Sequence, residues 1–195
     1  MDELSSRGGP TLALGRRAGP PRSGLVWRIA DLASLAGRDI PPGTDAAFCC
    51  LGTTIKVAGS QEAFRRVDYD FVMAFARACR EAGVEQLHVV SSAGANAASR
   101  FFYPRVKGEL ERDLQTLGFR SLTLYRPSLM TGQRTEHRMG EKATFLVGRA
   151  LTPLLSRDLR PIAASTVARA MVRTALAPSP GTTLVPSGEI ARAGS

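Results

Sequence analysis

A chain of 195 residues has the length of one domain, enough to bury roughly 70% of the surface its unfolded form exposes. Its 44% hydrophobic and 22% charged residues exclude a fibrous or wholly disordered protein, and no apolar run approaches the ~18 residues that span a bilayer. The formal net charge of +9 raises a nucleic-acid partner, but the arginines scatter through every segment and only Lys56, Lys107 and Lys142 are lysines. Without a basic block interleaved with aromatics, neither nucleic-acid nor membrane binding is expected.

The opening Met1-Asp2-Glu3-Leu4-Ser5-Ser6-Arg7 lacks the basic start, apolar stretch and small-residue cleavage site of a secretory signal, so a cytoplasmic protein is expected. Cys49 and Cys50 are adjacent and Cys79 lies in a helical pattern. That spacing fits neither a disulfide framework nor a zinc site; buried, reduced thiols and no metal are expected.

In chain order, the apolar run Thr11–Gly15 predicts a strand ending in the basic turn Arg16-Arg17-Ala18-Gly19-Pro20-Pro21, and Leu25–Ile29, ending at Asp31, predicts another. After Pro41-Pro42-Gly43, Ala46–Leu51 is unbroken apolar sequence, the mark of a parallel strand covered on both faces. From Ser60 to Ala82, Phe64, Val67, Phe71, Phe75, Ala78 and Ala82 recur at steps of three and four, and Gly83 supplies a stop. This predicts a helix with one face on the sheet. A strand at Gln86–Ser91, a small-residue loop to Arg100, a helix near Tyr103–Leu117 closed by Gly118 and a strand at Ser121–Tyr125 continue the alternation. The fold class is therefore α/β. The pattern loosens through Gly132–Gly140. Helices are expected near Glu141–Leu155 and Ser165–Ala175, then a short strand at Thr182–Val185 and a frayed end from Ser187. No repeat or linker divides the chain, so residues 1–195 read as a single domain.

The chemistry concentrates in Tyr103-Pro104-Arg105-Val106-Lys107. Positions four apart share a helix face with Cβ atoms ~5–6 Å apart, which sets a phenol beside an ammonium. At ~5 Å and an effective dielectric of ~20, that charge favours the ionised phenol by ~3 kcal/mol, enough for proton exchange near neutral pH. Ser91 or Ser92, at the carboxyl end of the preceding strand, can place a hydroxyl on the same substrate oxygen. Such a site interconverts a carbonyl and an alcohol.

A serine 11 or 12 residues before Tyr-x-x-x-Lys, at the end of a strand, resembles the short-chain dehydrogenase/reductase superfamily. Cys49-Cys-Leu-Gly-Thr-Thr54, Phe64-Arg-Arg-Val-Asp68, Ser91-Ser-Ala-Gly-Ala95, Phe102-Tyr-Pro-Arg-Val-Lys-Gly-Glu109 and Tyr125-Arg-Pro-Ser128 resemble its atypical branch, the Tat-interacting oxidoreductase group. The resemblance runs from about Thr11 to Ile190 and is most specific between Cys49 and Ser128. It implies a doubly wound, mostly parallel Rossmann-type sheet with helices on both faces and a small-molecule carbonyl substrate reduced by NADPH. By motif, Tyr103 is the acid/base, Lys107 tunes it and holds the nicotinamide ribose, and Ser92, or failing that Ser91, orients the carbonyl. Pro127 and Ser128 would flank the nicotinamide, Leu51, Gly52 and Thr53 would line the floor beneath the cofactor, and Asp31 would approach the adenine. A strand-end acid in such folds binds ribose hydroxyls whereas arginine accepts a 2′-phosphate, so Arg16 and Arg17 favour NADPH over NADH.

The departure from the family lies at the start. A strand, a glycine-rich turn and a helix whose amides hold the pyrophosphate are expected there, yet Gly8-Gly9 precedes rather than follows a strand. Met1–Gly9 reads as the tail of that first helix, which points to an upstream start or a natural truncation. Weak or absent NADPH affinity, and doubtful turnover, are therefore expected of residues 1–195 alone. The alternative reading is a dinucleotide-sensing or scaffold protein on the same fold; a homo-oligomer is compatible with either. His88 and His137, Trp27, the phenylalanines and the pair Glu109 and Glu111 read as structural or solvated residues.

Overall fold

The computed structural model describes residues 10–131 and 157–195. The expectations for Met1–Gly9, Gly132–Gly140, His137 and the helix near Glu141–Leu155 lie outside the described residues. The strands are β1 (Thr11–Gly15), β2 (Leu25–Ile29), β3 (Ala46–Cys49), β4 (Gln86–Val90), β5 (Ser121–Arg126), β6 (Met130–Thr131), β7 (Ile162–Ala163) and β8 (Gly181–Pro186). The helices are α1 (Ile55–Ala58), α2 (Gln61–Arg65), α3 (Phe71–Glu81), α4 (Phe102–Gln115), α5 (Ala164–Leu176) and α6 (Ser187–Ala193).

Four strands form one parallel sheet in the order β3-β4-β5-β8, with Ala46 opposite Gln86, Gln86 opposite Ser121 and Ser121 opposite Gly181. β1 and β2 make a separate parallel pair, as do β6 and β7. Among the described residues no ladder joins β1 to β3. The mixed α/β, Rossmann-like architecture is the expected one, and every ladder between named strands is parallel.

Alternation along the central strands feeds two cores. Leu87, Val89, Leu122 and Leu124 face one side, where Val72, Met73, Ala76 and Cys79 of α3 and Leu110 and Leu114 of α4 cover them. On the other side Tyr125, with Phe48, Val90 and Val185, meets Val167, Ala170 and Met171 of α5, Ile162 and Ile190. Each large side chain removed from water contributes ~1.5–3 kcal/mol, so the two layers, rather than any single bond, hold the sheet. A strand covered on both faces needs no polar side, which explains the buried run Ser121–Tyr125.

The helix expected from Ser60 to Ala82 is present with an interruption. Ser60 caps α2 by accepting the Ala63 N–H at 3.0 Å, and residues 66–70 then form a π-turn before α3 continues. Gly83, at φ +82°, ends the run in the left-handed conformation that closes helices.

The C-terminal expectation is corrected: Ser187–Ala193 is helix α6, not a frayed end. Ile190 is fully buried in the second core, and the Gly188 N–H donates to Asp158 Oδ1 at 2.8 Å. Trp27 is half-buried rather than core; its indole covers Gly19 and donates to the Pro20 carbonyl at 3.2 Å. Of the thiols, Cys49 and Cys79 are buried, with burial pushing each up to about 12, while Cys50 is exposed, contrary to expectation. Among the described residues no helix is long and apolar enough to cross a membrane.

Candidate active site

The carboxyl ends of β3, β4 and β5 lie along one edge of the sheet, where open α/β folds take their ligands. From β3 the chain turns through Leu51, Gly52 and Thr53; from β4 it reaches Ser91 and Ser92, and from β5 Pro127 and Ser128. The last two turns are stitched together, since the Ser91 N–H donates to the Tyr125 carbonyl at 2.7 Å and the Ala93 N–H to the Pro127 carbonyl at 2.9 Å.

α4 carries Tyr103 and Lys107 to this edge. Pro104 sits in its first turn, where the missing N–H costs nothing. The loop from β4 crosses the helix one turn further on, and the Asn96 N–H donates to the Pro104 carbonyl at 2.9 Å. This crossing requires glycine at 108, because a Cβ there would stand 2.0 Å from the Ala97 nitrogen.

Tyr103 keeps 37% of its surface exposed and packs its ring 5.4 Å from that of Phe64. Lys107, one turn on, is buried, and its ammonium lies 2.7 Å from Oδ1 of Asp68, itself buried. The other carboxylate oxygen, Oδ2, accepts the Thr53 N–H at 2.7 Å. The Asp68 carboxylate thus joins the lysine to the turn beneath the expected cofactor. Sequence reasoning assigned Asp68 no role. The available signal was its position four residues after Phe64 and four before Val72, an acid on a stripe that is otherwise apolar and buried.

The two serines differ. Ser92 Oγ donates to the Ala93 carbonyl at 3.2 Å, whereas Ser91 Oγ is buried with no hydrogen-bond partner. A buried hydroxyl without a partner is uncommon and fits a ligand oxygen that completes it. Ser128 is engaged elsewhere: its hydroxyl donates to the Arg160 carbonyl, and its N–H donates to Ser187 Oγ at 3.2 Å. Pro127 is buried, and Leu51 packs against the first core. Arg16 and Arg17 are exposed at the end of β1. Asp31 is exposed too, but its carboxylate accepts the Ala33 N–H at 3.0 Å and the Ser34 hydroxyl at 3.3 Å, closing its own turn.

The reading of Glu109 and Glu111 as a solvated face is corrected. Glu111 is buried and forms a two-pronged ion pair with Arg126, Nε lying 3.0 Å from Oε1, while Glu109 pairs with Arg65 at 2.6 Å. The Arg112 guanidinium, and after it the Tyr69 hydroxyl that donates to Asp113 at 2.5 Å, hold the Asp113 carboxyl below the usual range. Positions 107, 109 and 113 of α4 are therefore tied to the 65–70 segment and position 111 to β5. His88 is wholly buried, stacked on Phe48 at 5.0 Å, with Nδ1 3.2 Å from the Tyr125 hydroxyl; this agrees with a core role.

These residues fit the nicotinamide end of a dinucleotide through the orphan Ser91 hydroxyl and the strand-end turns around it. Among the described residues no strand, glycine-rich turn and helix N-terminus stand together to cradle a pyrophosphate.

No family model matches the chain. It is 37% identical over 129 residues to protein fmp52, mitochondrial, of Aspergillus fumigatus, a match covering 65% of this chain and 55% of that protein. It is 41% identical over 99 residues to protein HTATIP2 of Rattus norvegicus, covering 51% of this chain and 40% of that protein. The chain spans about half the length of the curated relatives it matches. Among solved structures, MoeE5 in complex with UDP-glucose and NAD aligns with 97% of the chain and 74% of its own, at TM-score 0.70 and 21% identity. The Bordetella bronchiseptica enzyme WbmH in complex with NAD+ aligns with 96% of the chain and 70% of its own, at TM-score 0.70 and 16% identity. The chain is thus similar in sequence to HTATIP2 and the Fmp52 proteins, and its α/β fold is that of the NAD-bound structures named above.

Proposed function

We propose that this protein is an NADPH-linked oxidoreductase of the short-chain dehydrogenase/reductase type that reduces a carbonyl, with Tyr103 as acid/base. The observation that carries this reading is the exposed Tyr103 one helical turn from the buried Lys107, on the edge where Ser91 offers an unpartnered hydroxyl. In this reading Ser91, rather than Ser92, hydrogen-bonds the carbonyl oxygen, and Tyr103 delivers the proton that oxygen needs as it becomes an alcohol. Lys107 contributes positive charge beneath the phenol and a donor for a ribose hydroxyl. The Leu51–Thr53 turn lines the floor beneath the cofactor, the Pro127-Ser128 backbone flanks the nicotinamide, and Asp31 stands toward the adenine. The bound cofactor supplies the hydride.

The exposed guanidinium groups of Arg16 and Arg17 support a 2′-phosphate and hence NADPH, although the two structural neighbours named above hold NAD. Among the described residues no pyrophosphate cradle stands, and weak cofactor binding by residues 1–195 belongs to this proposal. A cytoplasmic setting belongs to the same reading, beside fungal relatives whose names include mitochondrial.

The test is NADPH oxidation with a panel of aldehydes and ketones at millimolar cofactor. Ser91→Ala is expected to lower the rate ~100-fold and Ser92→Ala less than ~3-fold. Arg16→Ala together with Arg17→Ala weakens NADPH and leaves NADH unchanged. Binding of NADPH without consumption of any carbonyl would favour the sensor or scaffold reading instead.

A further inference from the structure

We propose that the chain carries a second small-molecule site at the amino end of the sheet, between Gln86, Ser121 and the Pro178–Pro180 loop, that takes a compact, neutral primary carboxamide. It lies at the end of the strands opposite Tyr103 and does not depend on the reductase reading.

Gln86 and Ser121 are register partners at the first positions of β4 and β5, so their side chains leave the same face of the sheet. Leu87 and Leu122, next along, face the first core, which puts Gln86 and Ser121 on the other side. The next partner across the ladder is Gly181 of β8, and a Cβ built there would meet nothing within 4 Å. A row that ends in glycine leaves room that no side chain of the sheet fills. That room is a cavity of about 90 Å³ lined by Gln86, Ser121 and the Pro178–Pro180 loop, with the exposed Glu85 and Arg120 at its mouth.

Two buried side-chain oxygens here, Gln86 Oε1 and Ser121 Oγ, have no hydrogen-bond partner, and Ser121 keeps only 3% of its surface exposed. The backbone around them makes no demand on either oxygen, since the Ser121 N–H donates to the Glu85 carbonyl at 3.1 Å and the Gly181 N–H to the Arg120 carbonyl at 2.8 Å. Buried oxygens without partners are costly, and a guest that pairs with both removes the cost.

The two oxygens define the guest. Gln86 Oε1 can only accept, so the guest must donate; the Ser121 hydroxyl can donate, so the guest gains by accepting. Pro178 and Pro180 have no N–H to offer. At the mouth, Arg120 and Glu85 neutralise each other at 3.1 Å, leaving no net charge to compensate a buried ion. A neutral group that holds an N–H donor beside a carbonyl acceptor is a primary carboxamide. The cavity has room for about three waters at their liquid volume, or for one guest of about four non-hydrogen atoms.

The probe is acetamide, titrated into the 15N-labelled full chain. Saturating shifts are expected at the Gln86 side-chain amide and at the backbone amides of Ser121 and Gly181, with a dissociation constant on the order of 1–10 mM for so small a ligand. Acetone has the same shape without the N–H donors and is expected to produce no saturating shift. Ser121→Ala and Gln86→Met are each expected to weaken acetamide about fivefold. Neither change breaks a hydrogen bond of the fold, since neither oxygen has a partner to lose. Shifts that stay linear through the titration, or that persist in both variants, would show that the cavity holds water alone and would overturn the proposal. An equal response to acetone, or tighter binding of methylammonium than of acetamide, would overturn it as well.

Discussion

Gly108 lies so close to the crossing loop that a Cβ built on it would stand 2.0 Å from the Ala97 nitrogen and 2.2 Å from the Asn96 carbonyl carbon. The contact is with backbone, which cannot swing aside as a side chain can. It holds the loop that begins at Ser91 against the helix that carries Tyr103 and Lys107. Gly108→Ala is therefore expected to cost about 2–3 kcal/mol in urea unfolding, at the upper end of overpacking effects, despite the better helix propensity of alanine. A midpoint equal to that of the unaltered chain would show that the loop yields.

Glu111 and Arg126 supply a second measure of how α4 is fixed. Glu111 is buried and Arg126 keeps 30% of its side chain exposed, so the guanidinium left by Glu111→Ala is partly solvated. The expected cost is about 2 kcal/mol, below that of breaking a fully buried pair. Adding Arg126→Met to remove the stranded charge should recover more than half of it. Additive losses in the double variant would contradict the pairing.

His88 gives the protein an acid-sensitive core. Burial lowers its pKa from 6.5 to about 4, so between those values the unfolded chain binds a proton that the folded chain refuses. Stability from this residue is fully present above about pH 6.5 and is lost as pH falls toward 4, by roughly 3 kcal/mol. Urea titrations from pH 7 to pH 4.5 should show this slope in the unaltered chain and a shallower one in His88→Phe. Parallel slopes would remove the assignment.

The three cysteines should separate by reactivity. Cys49 and Cys79 are buried and pushed up to about 12; desolvation raises the Cys50 thiol too, but Cys50 alone of the three is exposed to a reagent. A thiol reagent is expected to label one site in the folded chain, lost in Cys50→Ser, and three in denaturant. Two fast sites in the folded chain would contradict the burial of the others.

Much of the fold was legible in sequence because parallel strands and their covering helices write apolar runs and three–four spacing directly. Ala46–Cys49, Gln86–Val90 and Ser121–Arg126 fall where their apolar runs do, and Tyr-x-x-x-Lys is a local pattern on one helix. What escaped depends on contacts between distant segments. Asp68 has meaning only once the 65–70 turn meets α4, 39 positions away at Lys107. Glu111 looked solvated because its partner, Arg126, lies beyond the end of its own helix. The terminal Ser187–Ala193 has too little periodicity to announce a helix, and it is held by Ile190 in the second core and by Asp158. The proposed preference for Ser91 over Ser92 rests on which hydroxyl found a partner, a fact of tertiary placement alone.

The most direct measurement is turnover by Tyr103→Phe. With saturating NADPH and a carbonyl compound that the unaltered chain reduces, the rate is expected to fall about a thousandfold while NADPH affinity stays within about twofold, as removal of a proton donor alone requires. A rate within about tenfold of the unaltered chain, or a loss of cofactor binding equal to the loss of rate, would contradict the assignment of Tyr103 as the acid/base.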